Sequence, residues 1–129
     1  MQAFELQSHY ITKMDNFLSE YDAWLCPVSS TTAIKHQTPS GHFGDFRIYN
    51  TPVQVDGVDV PYYVVTQSYT TILTATDSPV VSMPIGLGES GLPVNVQVVG
   101  RRYTDRRLLN VAKTLDRYTE KFDYPLLNA

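Results

Sequence analysis

The sequence predicts an α/β fold, and three observations predict it. They are a helix-period apolar stripe at the start, short β-branched apolar runs in the middle and late chain, and a second helical stripe near the end. Between Ala3 and Tyr21, Phe4, Tyr10, Ile11, Met14, Phe17, Leu18 and Tyr21 recur mostly at three- and four-residue intervals, as in an amphipathic helix lying one face down. The run AWLCPV, residues 23 to 28, is short, apolar and stopped by Pro27, which predicts a strand buried on both faces. Residues 29 to 51 lack periodicity and are rich in Ser, Thr, Gly and Pro. They predict one long loop, and loops of that length are usually functional or disordered. Val53 and Val55 face Val58 and Val60 across Asp56-Gly57, a turn pair suited to the two positive φ angles of a type I′ hairpin. YYVVTQSYTTILTAT, residues 62 to 76, spaces its apolar residues as a helix does, although its β-branched content opposes helix formation. SPVVSMPI and LPVNVQVVG read as strands, the second by its alternation of Val94, Val96 and Val98 with Asn95 and Gln97. After Thr104 as N-cap, Leu108, Ala112, Leu115, Thr119 and Phe122 mark the inner face of a last helix. No repeat, linker or low-complexity stretch interrupts the 129 residues, which read as a single segment.

Composition limits the partners. With 43% hydrophobic and 18% charged residues and a net charge of −3, the chain has the make-up of a globular domain and no global basic field for nucleic acid or anionic lipid. MQAFELQSHY offers neither a basic n-region nor an apolar h-region, and nowhere do eighteen apolar residues run together. The chain is therefore expected to be soluble, untargeted and cytoplasmic. The lone Cys26 makes no internal disulfide and fits a reducing compartment.

Several motifs invite chemistry and do not support it equally. GLGESG, residues 86 to 91, satisfies the dinucleotide pattern G-x-G-x-x-G, with a strand before it and Asp105 nineteen residues after Gly86. Leu92-Pro93 and an alternating strand follow it, so no helix N-terminus is expected to receive a pyrophosphate, and the glycines read as a strand-to-strand connection. Cys26 beside Trp24 and Leu25 reads as a buried, inert thiol rather than a nucleophile served by His36 or His42. His36, His42 and Asp45 match no tight zinc spacing and read as solvated loop residues. RRYTDRR, residues 101 to 107, reads as a solvated basic patch partly balanced by Asp105, and Ser29-Ser30 as weak loop caps lacking a base and an oxyanion hole. No metal and no cofactor is implied.

The continuous text DSPVVSMPIGLGESGLPVNVQVVGRRYTDRRLLNVAKTLDR resembles the C-terminal end of amidase signature enzymes. In that family a strand of the type PavsvPxG leads through a glycine loop into GLPxGxQxxG and a helix with paired leucines. Pro79, Val80, Pro84, Gly86, Gly91, Leu92, Pro93, Gln97, Gly100, Leu108 and Leu109 fall on this pattern. Upstream, YDAWLCPVSSTTA is similar to the family's helix followed by a D-x-x-x-x-P strand. Asn95 departs from it, standing where the family has glycine in GLPxG.

The resemblance implies the C-terminal portion of an α/β/α mixed-sheet amidase signature fold, with a β-hairpin and flanking helices. It also implies hydrolysis of carboxylic amide C–N bonds by a serine, a cis-serine and an upstream lysine, with backbone amides holding the oxyanion. That lysine segment and its Gly-Gly-Ser-Ser-Gly-Gly type signature are not in this sequence. Lys13, Lys35, Lys113 and Lys121 have no Gly-Ser-rich turn after them. Residues 1 to 129 are thus expected to be the C-terminal part of the domain, catalytically inactive alone. The alternative is a non-catalytic module that docks on an amidase N-terminal portion. The expected roles are a substrate-pocket loop carrying His36, His42 and Phe43, and a structural motif of Pro84, Gly86, Gly91, Leu92, Pro93, Gln97 and Gly100. An amide would bind only in the full enzyme, and strand edges left unpaired would invite association.

Overall fold

In the computed structural model, which describes residues 2 to 119, the first stripe folds as α1 (Gln2–Leu18). Its inward face is narrower than the apolar spacing predicts. Leu18 is buried and Ile11 and Met14 are half-buried, whereas Phe4, Tyr10 and Phe17 remain exposed. The helix stops before Tyr21, whose ring meets Phe17 at 5.1 Å, while Phe17 also meets Trp24 edge-on at 6.1 Å. These ring contacts fix how the chain turns from the helix into β1 (Trp24–Pro27).

The segment expected to be one long loop contains a small hairpin, β2 (Gly41–Phe43) with β3 (Phe46–Ile48). Gly44, at φ 58, occupies the first position of the two-residue turn, where an L side chain is strained. A second hairpin follows as expected, β4 (Val53–Val55) with β5 (Val58–Val60), and Asp56 and Gly57 take φ values of 51 and 80. The β-branched stretch after it is helical but broken into α2 (Tyr62–Gln67) and α3 (Thr71–Ala75). At the break, Ser68 Oγ donates to Val64 O and Thr70 Oγ1 to Gln67 O at 3.2 Å, while Tyr69 O accepts from Gln97 at 3.3 Å. The hydroxyls and the glutamine compete for carbonyls that a continuous helix would use itself.

The main sheet comes from distant parts of the chain: β1, then β7 (Pro93–Val99), then β6 (Val80–Leu87), with both pairings antiparallel. Successive side chains of β7 point to opposite faces. Val98 packs with Met83, Leu108 and Ala112 under α4 (Asp105–Leu115), and Val99 packs with Cys26, Leu18 and Leu73 under α1 and α3. Helices therefore cover both faces, giving an α/β/α arrangement. Its described strand pairings are all antiparallel.

Three further expectations need correction. Leu25 is half exposed, because β1 is an edge strand in these residues and α4 rests on β6 and β7. The last helix ends at Leu115 and tightens into a 3₁₀ turn (Asp116–Tyr118), so Thr119 lies past it; Phe122 lies outside the described residues. Thr104 precedes α4 without capping it by its side chain, since its hydroxyl donates to Arg101 O at 2.6 Å. Among the described residues no helix is long and apolar enough to cross a membrane.

Candidate functional site

GLGESG closes the β6–β7 hairpin. Gly88 N donates to Leu92 O and Gly91 N to Gly88 O, each at 2.9 Å, and Gly91 adopts φ +73. The loop joins two antiparallel strands and opens no helix, so it lacks the N-terminal amides that a dinucleotide site uses. The other motif residues surround the hairpin. Pro84 and Gly86 flank a bulge at Ile85, where the register passes from Pro84 opposite Asn95 to Gly86 opposite Val94. Pro93 opens β7 opposite Leu87. Gly100 lies against Leu108, which a Cβ there would meet at 3.1 to 3.2 Å, and its N–H donates to Pro79 O. A side chain there would require Leu108 to shift by a few tenths of an ångström, so glycine favours the close approach of α4 to the end of β7. At Asn95 the side chain is exposed and donates to Ser82 Oγ at 3.3 Å, so the departure from glycine is accommodated on the sheet surface.

Gln97 ties three segments together from inside the core. Its Nε2 donates to Pro27 O at 2.8 Å and to Tyr69 O at 3.3 Å, and lies 3.7 Å from Cys26 Sγ. Cys26 is buried, and burial pushes its thiol above the ordinary range, more than the Gln97 hydrogen bond lowers it. The protonated thiol is a packing group. Ser29 Oγ donates to Val65 O at 3.0 Å and Ser30 N to the same carbonyl at 3.3 Å, tying the chain after β1 to α2.

The arginines of the basic run are exposed as expected except Arg102, but the acids that balance them are other than expected. Arg102 donates through Nε and Nη2 to Asp15 Oδ2 at 3.0 and 2.9 Å, and Arg107 pairs with Asp22. The bond to Asp15 holds the Arg102 guanidinium still more firmly protonated, against the opposing effect of burial. Two of the four arginines thus clamp the approach to α4 onto α1 and the turn after it, and the balancing acids are Asp15 and Asp22 rather than Asp105.

Several clefts border residues 27 to 47, and two of them exceed 600 Å³. One, of about 640 Å³, is lined mainly by apolar atoms between residues 27 to 34, Thr66 and the start of β7. The other, of about 620 Å³, lies between residues 36 to 39 and the first hairpin, lined by His36, Gln37, His42 and Arg47 among others. The structure therefore brings His36 and His42 to one cleft. Phe43 does not line it: with its cross-strand partner Phe46 it projects outward, 78% exposed. Among the described residues no three His, Cys, Asp or Glu side chains gather closely enough to hold a metal ion.

Sequence reasoning missed Gln37, Arg47 and Tyr63. Arg47 stands opposite His42 across the hairpin, and its carbonyl accepts from Tyr63 Oη at 3.2 Å, while Tyr49 N donates to that oxygen at 3.3 Å. The signal was Gly-Asp between two phenylalanines at 43 to 46, a two-residue hairpin turn hidden in a polar stretch.

The site thus combines a glycine hairpin under α4, a buried glutamine linking β7 to β1, and clefts beside the segment after β1. The family model described as Amidase matches residues 1 to 109, and the chain belongs to that family. It is similar to the A subunit of glutamyl-tRNA(Gln) amidotransferase from Thermotoga maritima, at 27% identity over 97% of this chain and 23% of that protein. Its counterpart from Desulforamulus reducens is 30% identical over 93% of this chain and 21% of its own length. The mitochondrial counterpart from Mus musculus matches at 35% over 40% of this chain. The chain thus spans between a fifth and a quarter of the first two relatives.

Proposed function

We propose that this chain is the C-terminal part of an amidase that hydrolyses carboxylic amide C–N bonds to an acid plus ammonia or an amine, and that it is catalytically silent alone. The observation that carries the reading is the state of its candidate nucleophiles. Cys26 is buried with a raised pKa, and Ser29 spends its proton on Val65 O, with no imidazole among its hydrogen-bond partners. An acyl-transfer nucleophile needs an adjacent base and donors for the oxyanion. Family membership and the short span of the relatives support a division in which those groups lie in the portion that this sequence does not carry. The 29 to 51 segment then borders the amide pocket with His36 and His42, while Phe43 faces outward toward the complementing portion.

The alternative, a separate docking module, draws support from the outer edges of β1 and β6, which carry no partner strand among the described residues, and from the relatives being named as one subunit of an amidotransferase. A fluorophosphonate probe tests silence: no serine in the isolated chain should be labelled, and stoichiometric labelling overturns the reading. Mixing the chain with an amidase N-terminal portion carrying the Gly-Ser signature should restore amide hydrolysis. Failure of every such mixture, while a covalent fusion is active, would favour one continuous enzyme over a docking module.

A further inference from the structure

The cleft between residues 36 to 39 and the first hairpin has a charge pattern unlike that of the whole molecule. The chain carries thirteen Asp and Glu against ten Lys and Arg. No carboxylate lines this cleft, and none lines the two clefts of about 310 and 320 Å³ that share Gln37 with it. Their charged or basic lining groups are Lys35, His36, His42 and Arg47. Neither Arg47 nor Lys35 makes an ion pair among the described residues, where the two salt bridges are those of Arg102 and Arg107. Gln37 lines all three, and its Oε1 is buried with no hydrogen-bond partner among the described residues. A buried acceptor left unmade is costly, and such groups are few in native proteins.

Placement of His42 and Arg47 is fixed by backbone. Directly opposed cross-strand residues present their side chains on one face, about 5 Å apart at Cβ, and His42 and Arg47 are such a pair. Tyr63 Oη holds the Arg47 carbonyl, Tyr62 stacks on Tyr49 at 4.7 Å, and Ser40 Oγ accepts from Asn50 N at 3.0 Å. The hairpin is thereby moored to α2, so little backbone ordering remains to oppose binding.

We propose that this cleft binds a small carboxylate carrying a neighbouring amide N–H, of the class of N-acyl amino acids. The Arg47 guanidinium presents the forked donors that match a carboxylate, His36 and His42 flank it, and the Gln37 side chain, whose buried Oε1 makes no hydrogen bond where it stands, turns into the cleft to accept from the amide N–H. As a statement about substrate, the inference rests on the pocket reading above. As a statement about binding, it concerns this chain alone.

The test is titration of the 129-residue chain with N-acetylglycinate, following the His36 and His42 ring resonances by NMR. Neutral N-acetylglycine methylamide and plain acetate serve as comparisons. Saturable shifts are expected with N-acetylglycinate at a Kd of about 1 mM or tighter, with weaker binding of acetate and none of the neutral amide. Arg47→Gln should weaken N-acetylglycinate about tenfold, and Gln37→Leu should reduce its advantage over acetate. Phe46→Ala, at the hairpin turn and outside the cleft lining, should leave binding unchanged. Absence of saturable shifts, equal binding of the neutral amide, or an Arg47→Gln variant that binds normally overturns the proposal. None of these outcomes bears on whether an N-terminal portion restores hydrolysis, so the two readings fail separately.

Discussion

At the residue scale, Gln97 shows how one polar side chain can organise an apolar core. It is 5% exposed, and its amide nitrogen serves carbonyls from β1 and from the break between α2 and α3. Gln97→Leu keeps the volume but abandons two carbonyls, so it should cost about 2–3 kcal/mol in urea unfolding, and an unchanged midpoint would refute the bridging role. Its neighbour Cys26 makes a prediction with a definite sign. Burial raises the thiol pKa in the folded chain, so the native state keeps its proton where the unfolded chain loses it, above about pH 8.5. The unfolded state then binds fewer protons, and stability falls with rising pH through that window; below it the thiol contributes no slope. Comparing wild type with Cys26→Ala by urea unfolding between about pH 7 and pH 10 isolates the effect. The wild-type midpoint should fall more steeply than that of the variant.

At the element scale, the β6–β7 hairpin separates two uses of glycine within one short loop. Gly91 sits at φ +73 with nothing near its missing Cβ, while a Cβ on Gly88 would meet Val94 and Thr32 at ordinary distances of 3.4 and 3.5 Å. Gly91→Ala should therefore cost about 1–2 kcal/mol from backbone strain alone, and Gly88→Ala much less, with thermal unfolding as the measure. Equal effects would mean that space, not φ, sets the choice. The elements most legible in the sequence were those whose signal is local: the Asp56-Gly57 hairpin, the alternation of β7 and the spacing of α4. Those misread were decided elsewhere. The break at Ser68 to Thr70 depends on Gln97, twenty-eight residues beyond Tyr69. The hairpin at 41 to 48 has strands of only three residues, too short for the sustained alternation that marks a strand.

At the scale of the whole molecule, the family was legible because GLPVNVQVVG and its neighbours are contiguous, whereas the cleft was only half legible. His36 and His42 stood out by residue type, but Gln37 and Arg47 acquire meaning from burial and from a cross-strand register that no local pattern reports. The same limit applies to the outer surface. α1 leaves Phe4, Leu6 and Tyr10 exposed, and beside them Ile72 and Ala75 help form an apolar cleft of about 340 Å³. The outer edges of β1 and β6 carry no partner strand among the described residues. Exposed apolar faces and open edges are both routes to association. The isolated chain should therefore sediment above its 14.6 kDa mass as concentration rises. Edge pairing and face packing separate by substitution. Leu6→Lys combined with Tyr10→Lys leaves every strand untouched and should weaken association about tenfold if the α1 face dominates, equivalent to about 1.4 kcal/mol. A variant that still associates as wild type does would assign the contact to the sheet edges. A wild-type chain that stays monomeric throughout would remove both.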